Sequence, residues 1–266
     1  MEIVLSIAGS DPSAGAGIQQ DLKTITHMGS YGATVITALT SQNTQGVQGV
    51  MPVPPEVVAS QLQSLLDDLD IRAIKIGQIP TQAVAQTVVR LLGSYLASHP
   101  IPVIYDPVMI STSGIPLMQP DCIEYVSDEL FPLCTLITPN LPETETLTGL
   151  RLTTTKTIME AGTLLTSRYK TAFLLKGGHA ETLDMTDHLF TAEGTHHSFT
   201  TPKITTKNLH GTGCTLSSAI ATALAQGNSL PNSVSIAKNL VTEAIRSGSS
   251  LHIGTGNGPL WLIHNA

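Results

Sequence analysis

Six or more times along these 266 residues, a short apolar run is followed by a longer stretch with apolar residues at helical spacing. The runs at 2–8, 33–39, 73–77, 102–109, 133–138 and 171–179 are too apolar for strands with a wet face. Between them, Ile18, Leu22, Ile25 and Met28 share one face of a helix, as do Val84, Val88, Val89, Leu92 and Leu96. Further helices are predicted from Pro54–Pro55, over 121–131, from Leu141, and over 155–168, 213–226 and 232–247. Strands buried on both sides and joined by amphipathic helices make a mostly parallel sheet, because each crossover lays a helix on a sheet face. The fold class is therefore α/β, a three-layer sandwich with a mostly parallel central sheet flanked by helices. The stretch 187–200 reads as a hairpin at the sheet edge. No linker or shift of composition divides the chain, so one domain over 1–266 is expected.

Composition narrows the function. Thirteen basic residues against twenty acidic ones leave a formal charge of −7, which gives no support to nucleic-acid or acidic-membrane binding. Aromatics are only 4% of residues, so the core is Leu, Ile, Val and Ala. The three cysteines cannot all pair with one another, and no CxxC occurs, which points to a reducing compartment. No run approaches a membrane span and no leader is evident before the first strand. A cytoplasmic protein acting on a small molecule is expected.

The chemistry gathers at strand ends. His210–Gly211–Thr212–Gly213–Cys214–Thr215–Leu216–Ser217 follows a polar extended stretch and opens an apolar helix. Such a start leaves backbone N–H groups free to hold an anion, or is merely a glycine-bearing cap. The first loop, Gly9–Gly17, lacks the G-x-G-x-x-G spacing, so dinucleotide binding is set aside. Asp21 lies on the polar side of the helix that follows. Gln42 and Asn43 follow a buried strand end, where α/β proteins place ligand contacts. Lys75, in an apolar strand, reads as a salt-bridge residue at the strand's edge. Asp106–Pro107 ends a strand as a ligand or metal carboxylate would. Asn140 and Glu143 open a helix three apart, which suits a capping box and leaves a ligand role open. Lys176–Gly177–Gly178 places a lysine at a strand end like a phosphate contact.

Four of these segments in register resemble the ribokinase-like superfamily of small-molecule kinases, and within it the hydroxymethylpyrimidine/phosphomethylpyrimidine kinases. They are Ala8–Lys23, Val35–Leu39, Leu136–Glu143 and His210–Ser217. The resemblance implies ATP- and Mg²⁺-dependent phosphorylation of 4-amino-5-hydroxymethyl-2-methylpyrimidine, first to the monophosphate and then to the diphosphate. It implies that Gly211, Thr212 and Gly213 form the anion hole beside a catalytic Cys214, and that Lys176 touches phosphate. Asn140 and Thr212 would serve the nucleotide side, with Asp106 and Glu143 organising Mg²⁺ largely through water. Gln42 and Asp21 would lie on the substrate side with Gly9, Gln78 and Val108. A homodimer is common in the family. The chain departs from the family after Gly77: Gln78–Ile79–Pro80 stands where relatives carry methionine followed by leucine, which concerns the ring pocket.

Elementary chemistry agrees with these roles. Phosphoryl transfer needs an aligned acceptor and positive potential around the moving phosphate. A free thiol has a pKa of about 8.5, which a helix N-terminus lowers, so Cys214 is expected to act as a base or a positioning group. The 40–50 region and the 110–118 loop are the candidate lids, and the sequence leaves open whether either closes over substrate. The resemblance places the reaction in thiamine biosynthesis; the rival readings are a pyridoxal kinase of the same superfamily, the thiazole kinase of that biosynthesis, and a catalytically silent binding protein.

Overall fold

In the computed structural model, residues 1–111, 114–177 and 184–262 are described. Thr112, Ser113, Gly178 and His179 lie outside the described residues. The strands are β1 (Ile3–Ser10), β2 (Tyr31–Asn43), β3 (Gly46–Pro52), β4 (Ile71–Ile76), β5 (Val103–Tyr105), β6 (Leu136–Ile137), β7 (Ala172–Leu175), β8 (Asp184–Phe190) and β9 (His196–Pro202). They form one sheet in the order β3-β2-β1-β4-β5-β6-β7-β8-β9. The pairs from β2 through β7 are parallel, and β2–β3, β7–β8 and β8–β9 are antiparallel. The 187–200 hairpin is thus an edge hairpin, as its turn and alternation predict.

The helices are α1 (Gly17–His27), α2 (Pro55–Leu66), α3 (Gln82–Leu96), α4 (Pro120–Tyr125), α5 (Leu141–Thr148), α6 (Thr155–Tyr169), α7 (Thr212–Ala225) and α8 (Leu230–Gly248). Adjacent strand residues point to opposite faces, and the two hydrophobic clusters divide accordingly. Leu5, Ile74, Val103, Tyr105, Ile137 and Phe173 pack with α2 to α6. Val4, Ala73, Ile104, Leu136, Ala172 and Leu174 pack with α1, α7 and α8. That is the expected three-layer sandwich.

Three boundaries differ from the sequence reading. β2 continues through Thr40–Asn43, which lacks apolar alternation, because β3 pairs with it antiparallel from Ala38↔Pro52 to Asn43↔Gly46. The 40–50 region is therefore a paired ribbon rather than a free loop. β5 and β6 span only three and two residues, since their ends turn away into the loops that carry Asp106 and Asn140. The helix predicted over 121–131 begins as α4, passes through a π-helical stretch at Val126–Leu130, and closes in a 3₁₀ turn.

Crossovers leave β1 toward β2 on one side, while β4 and its successors lie on the other. Outside the carboxyl ends of strands at such a switch point, α/β sheets leave a crevice for ligands.

Tyr105 at the end of β5 is fully buried against Phe131, with ring centroids 5.9 Å apart. Its hydroxyl finds no hydrogen-bond partner among the described residues. A buried unpaired polar group costs about 1–3 kcal/mol. Tyr105→Phe is expected to raise unfolding stability by about 1 kcal/mol, read as a higher urea midpoint at unchanged slope; a lower midpoint would show that the hydroxyl has a partner.

Candidate active site

The α7 start sits against an acid–lysine pair. Gly211 caps the helix with φ +89°, and a Cβ there would lie 1.9 Å from the Gly15 carbonyl oxygen. Only glycine meets both demands. The N–H groups of Gly211, Gly213 and Cys214 reach no protein acceptor among the described residues, while that of Thr212 donates to the Leu209 carbonyl at 3.3 Å. No acidic residue occupies the first turn, so no side chain of the helix itself opposes the positive end of its dipole.

Beside it, Lys176 Nζ donates to Asp106 Oδ1 at 2.6 Å. Thr138 donates to the same oxygen at 3.3 Å. A Cβ on Gly213 would lie 3.0 Å from Asp106 Oδ2 and 3.6 Å from Lys176 Nζ. The second Asp106 oxygen therefore faces the helix start. Burial by itself would lower the Lys176 pKa, but Asp106 and then Glu143 outweigh it, and the ammonium is held above its ordinary range. The phosphate contact and the anion hole read from the sequence are brought together.

Asn140 and Glu143 make the capping box in full. Asn140 Oδ1 accepts from the Glu143 N–H, and Glu143 Oε2 accepts from the Asn140 N–H, both at 2.8 Å. A bridge to Lys176 sets Asn140 next to the lysine. Burial pushes the Glu143 carboxyl up to about 7, against Lys176, with Asp106 adding to the rise. Among the described residues no group of three His, Cys, Asp or Glu side chains converges to hold a metal. The free Asp106 oxygen beside Lys176 suits Mg²⁺, which keeps most of its waters and takes one or two carboxylates plus phosphate oxygens.

Three expectations need correction. Asp21 does not face substrate: it is fully buried, accepting from Lys75 Nζ at 2.7 and 2.9 Å, Ser6 at 2.6 Å and Ser218 at 2.8 Å. All its capacity goes to protein groups. Lys75 makes the anticipated salt bridge, but in the middle of the sheet and wholly buried. The Cys214 thiol is not activated: burial pushes its pKa up to about 11, Lys75 opposes, and Asp21 and Asp106 add to the rise. The Gly17 N–H points at the sulfur, but one such contact is outweighed. At neutral pH the group is a thiol.

On the ring side, Gly9 lies where the β1–β2 register shifts, and a Cβ there would come within 2.1 Å of Gln78 Oε1. Gln78 crosses that gap and donates to the Leu117 carbonyl at 3.2 Å. Half-buried Val108 follows on the loop, its N–H donating to the Asp106 carbonyl at 2.8 Å. Gln42 reaches His210, which also meets Asp11 at 2.8 Å. His210, next to the helix cap, carries a contact the motif alone did not reveal. A lysine inside an apolar strand was the signal for the buried pair, since such a charge needs a carboxylate.

A doubly covered parallel sheet with an anion-ready helix start and an acid–lysine pair at its strand ends defines a small-molecule kinase of the ribokinase-like class. The chain belongs to the phosphomethylpyrimidine kinase family, whose model matches residues 11–261. It is 41% identical to the hydroxymethylpyrimidine/phosphomethylpyrimidine kinase of Escherichia coli, over 98% of this chain and 97% of that one. It is 43% identical over 97% of its length to the thiamine biosynthesis bifunctional protein of Geobacter sulfurreducens, of which it spans 51%. The pyridoxal kinase of Staphylococcus aureus in complex with AMP-PCP superposes with a TM-score of 0.87, at 32% identity over 98% of this chain and 93% of that one.

Glu143 ties stability to pH. Its folded pKa is raised, so it favours the fold below the ordinary carboxyl value near 4.5, and that contribution is lost as pH rises through about 7. In metal-free buffer, the fall in urea stability between those values is expected to flatten in Glu143→Gln; an unchanged slope would place the titration elsewhere.

Proposed function

We propose that this chain transfers the terminal phosphoryl group of ATP to the hydroxymethyl oxygen of 4-amino-5-hydroxymethyl-2-methylpyrimidine, and then phosphorylates the monophosphate to the diphosphate. The observation that carries the reading is the meeting of unpaired α7 N–H groups, Gly213, Asp106 and Lys176 at one point. Phosphoryl transfer is catalysed mainly by positioning and by charge around the equatorial oxygens. The N–H groups of Gly211, Gly213 and Cys214 are free for those oxygens, and Lys176, paired on one side with Asp106, adds its ammonium. Glycine at 213 keeps the approach open.

Asp106 Oδ2 would hold Mg²⁺, with Asn140 and Glu143 acting through water, because their direct bonds are spent on the capping box. When bound, the metal supplies the charge that lets carboxylates lie beside a triphosphate. Cys214, a thiol at neutral pH, positions the acceptor alcohol rather than taking its proton; a loose transition state asks little of a base. Gln42, Gly9, Gln78 and Val108 line the ring side.

The relatives' names support the substrate, and the nucleotide analogue bound by the S. aureus relative supports ATP. We place the protein in the cytoplasm as one domain over 1–266: all nine strands share one sheet, the three cysteines are free, and no helix among the described residues is long and apolar enough to cross a membrane. A homodimer would use the β3 edge, where Leu39 and Met51 pair and stand exposed.

An ATP-consumption assay with the pyrimidine alcohol, its monophosphate and pyridoxal tests the reading. Diphosphate formed from the monophosphate is the expected result; phosphorylation of pyridoxal alone would make this a vitamin B6 kinase, and no ATP use at all would leave a silent binding protein. Cys214→Ala is expected to lower kcat about 10- to 100-fold with little change in KM for ATP; unchanged turnover would make the thiol a filler. Gln42→Ala is expected to raise KM for the pyrimidine about tenfold and leave KM for ATP alone, and an ATP-side defect would contradict its place.

A further inference from the structure

His210 precedes the Gly211 cap, and only 9% of its surface is exposed. The ring is wedged against the first loop, with Cδ2 only 2.3 Å from where a Cβ on Gly15 would stand. A single nitrogen, Nε2, meets two side chains: Asp11 Oδ2 at 2.8 Å and Gln42 Nε2 at 3.1 Å. A neutral ring nitrogen carries either a proton or a lone pair, so it cannot donate to one and accept from the other.

Asp11 decides which. Burial would raise its pKa, but hydrogen bonds from His210 and Ser13 outweigh that and hold the carboxyl at about 2. Asp11 is therefore an acceptor at any working pH, and the His210 proton sits on Nε2. An amide NH₂ directed at that N–H would set two donors against each other. Turning the Gln42 carboxamide over by 180° resolves the conflict, since its N and O are told apart only by their partners. The oxygen then accepts from His210. The NH₂ takes the place facing Thr40 Oγ1 at 3.3 Å, and that hydroxyl donates to the Ser10 carbonyl at 3.0 Å and keeps lone pairs to accept.

We infer that His210, held by Asp11, fixes the hydrogen-bond polarity of the Gln42 carboxamide and so makes the ring pocket selective for a heterocycle with an amino group beside a ring nitrogen. The inference deepens the proposed function and rests on it in one respect, that Gln42 faces the substrate ring. With its inner bonds made, the carboxamide keeps one acceptor lone pair and one N–H, side by side and unable to exchange. The amino group and adjacent ring nitrogen of the aminopyrimidine offer a donor next to an acceptor, which pairs with both. Pyridoxal carries an aldehyde beside its hydroxymethyl group, an acceptor only, which would oppose the carboxamide oxygen. His210 is a positioning residue in this account and touches no reacting atom.

Nitrogen-detected NMR on the ¹⁵N-labelled full chain reads the tautomer without substrate. A His210 ring protonated on Nε2 at pH 8 is expected, and a proton on Nδ1 alone would overturn the clamp. Kinetics read the consequence. His210→Leu is expected to raise KM for the pyrimidine alcohol about tenfold, with kcat and KM for ATP little changed and any activity on pyridoxal undiminished. Asp11→Asn should move KM in the same direction, and serves if the leucine variant folds poorly. A fall in kcat at constant KM, or an equal loss on both alcohols, would overturn the selectivity. Failure of the wild-type chain to phosphorylate the pyrimidine would instead sink the proposed activity, and the tautomer would still decide the clamp.

Discussion

Four elements are tied together by one buried carboxylate. Asp21 on α1 accepts hydrogen bonds from Lys75 on β4, Ser6 on β1 and Ser218 on α7. Gln20, its neighbour, donates to Thr215 in the first turn of α7 at 3.0 Å. Removing two charges from water costs several kcal/mol per ion, and their attraction offsets this only where the remaining hydrogen-bonding capacity is filled. Here it is filled. The same volume of aliphatic side chains would hold the layers together as well, but would not dictate where α7 begins. The direction of the helix, and with it the aim of its free N–H groups, follows from this node.

How an acidic chain holds a triphosphate follows from what surrounds that helix start. The net charge of −7 is a property of the whole surface, whereas binding depends on the local field. That field comes from amide dipoles and from the Lys176 ammonium, while Lys75 is balanced by Asp21. Asp106 is neutralised on one side by Lys176 and turns its other oxygen toward the helix start. Burial raises the Glu143 carboxyl to about 7 despite Lys176, so at neutral pH it carries only part of a negative charge and repels phosphate less than the composition suggests. The same burial keeps Cys214 protonated. Chemistry here runs on placement rather than on a strong base.

The first loop serves both halves of the site. The Asp11 carboxylate accepts from the Ser13 and Ala16 N–H groups, and its own N–H donates to Gln19 Oε1, which folds the loop on itself. It then holds His210, one residue before the helix cap. Ring recognition and phosphate recognition thus share a hinge at residues 210–211.

Much of this was legible in the residues. Apolar runs alternating with amphipathic segments require a covered parallel sheet, and the last three runs ended near polar residues that the structure brings together: Asp106, Asn140 and Lys176. Glycines at 211 and 213 announced a close approach of backbone. Local pattern determined these because strand burial, helix faces and turn chemistry depend on near neighbours along the chain. Only the tertiary structure decided the rest. Asp21 sits on a helix whose polar face usually meets water, and nothing within a few residues says that Lys75, 54 positions on, will cover it. The Cys214 thiol took its character from burial and from carboxylates on other elements, against the helix start that sequence alone could see. His210 met Gln42 across 168 residues. Charge, solvation and hydrogen-bond polarity are set by whatever the fold brings within a few ångströms, and sequence distance carries no record of that.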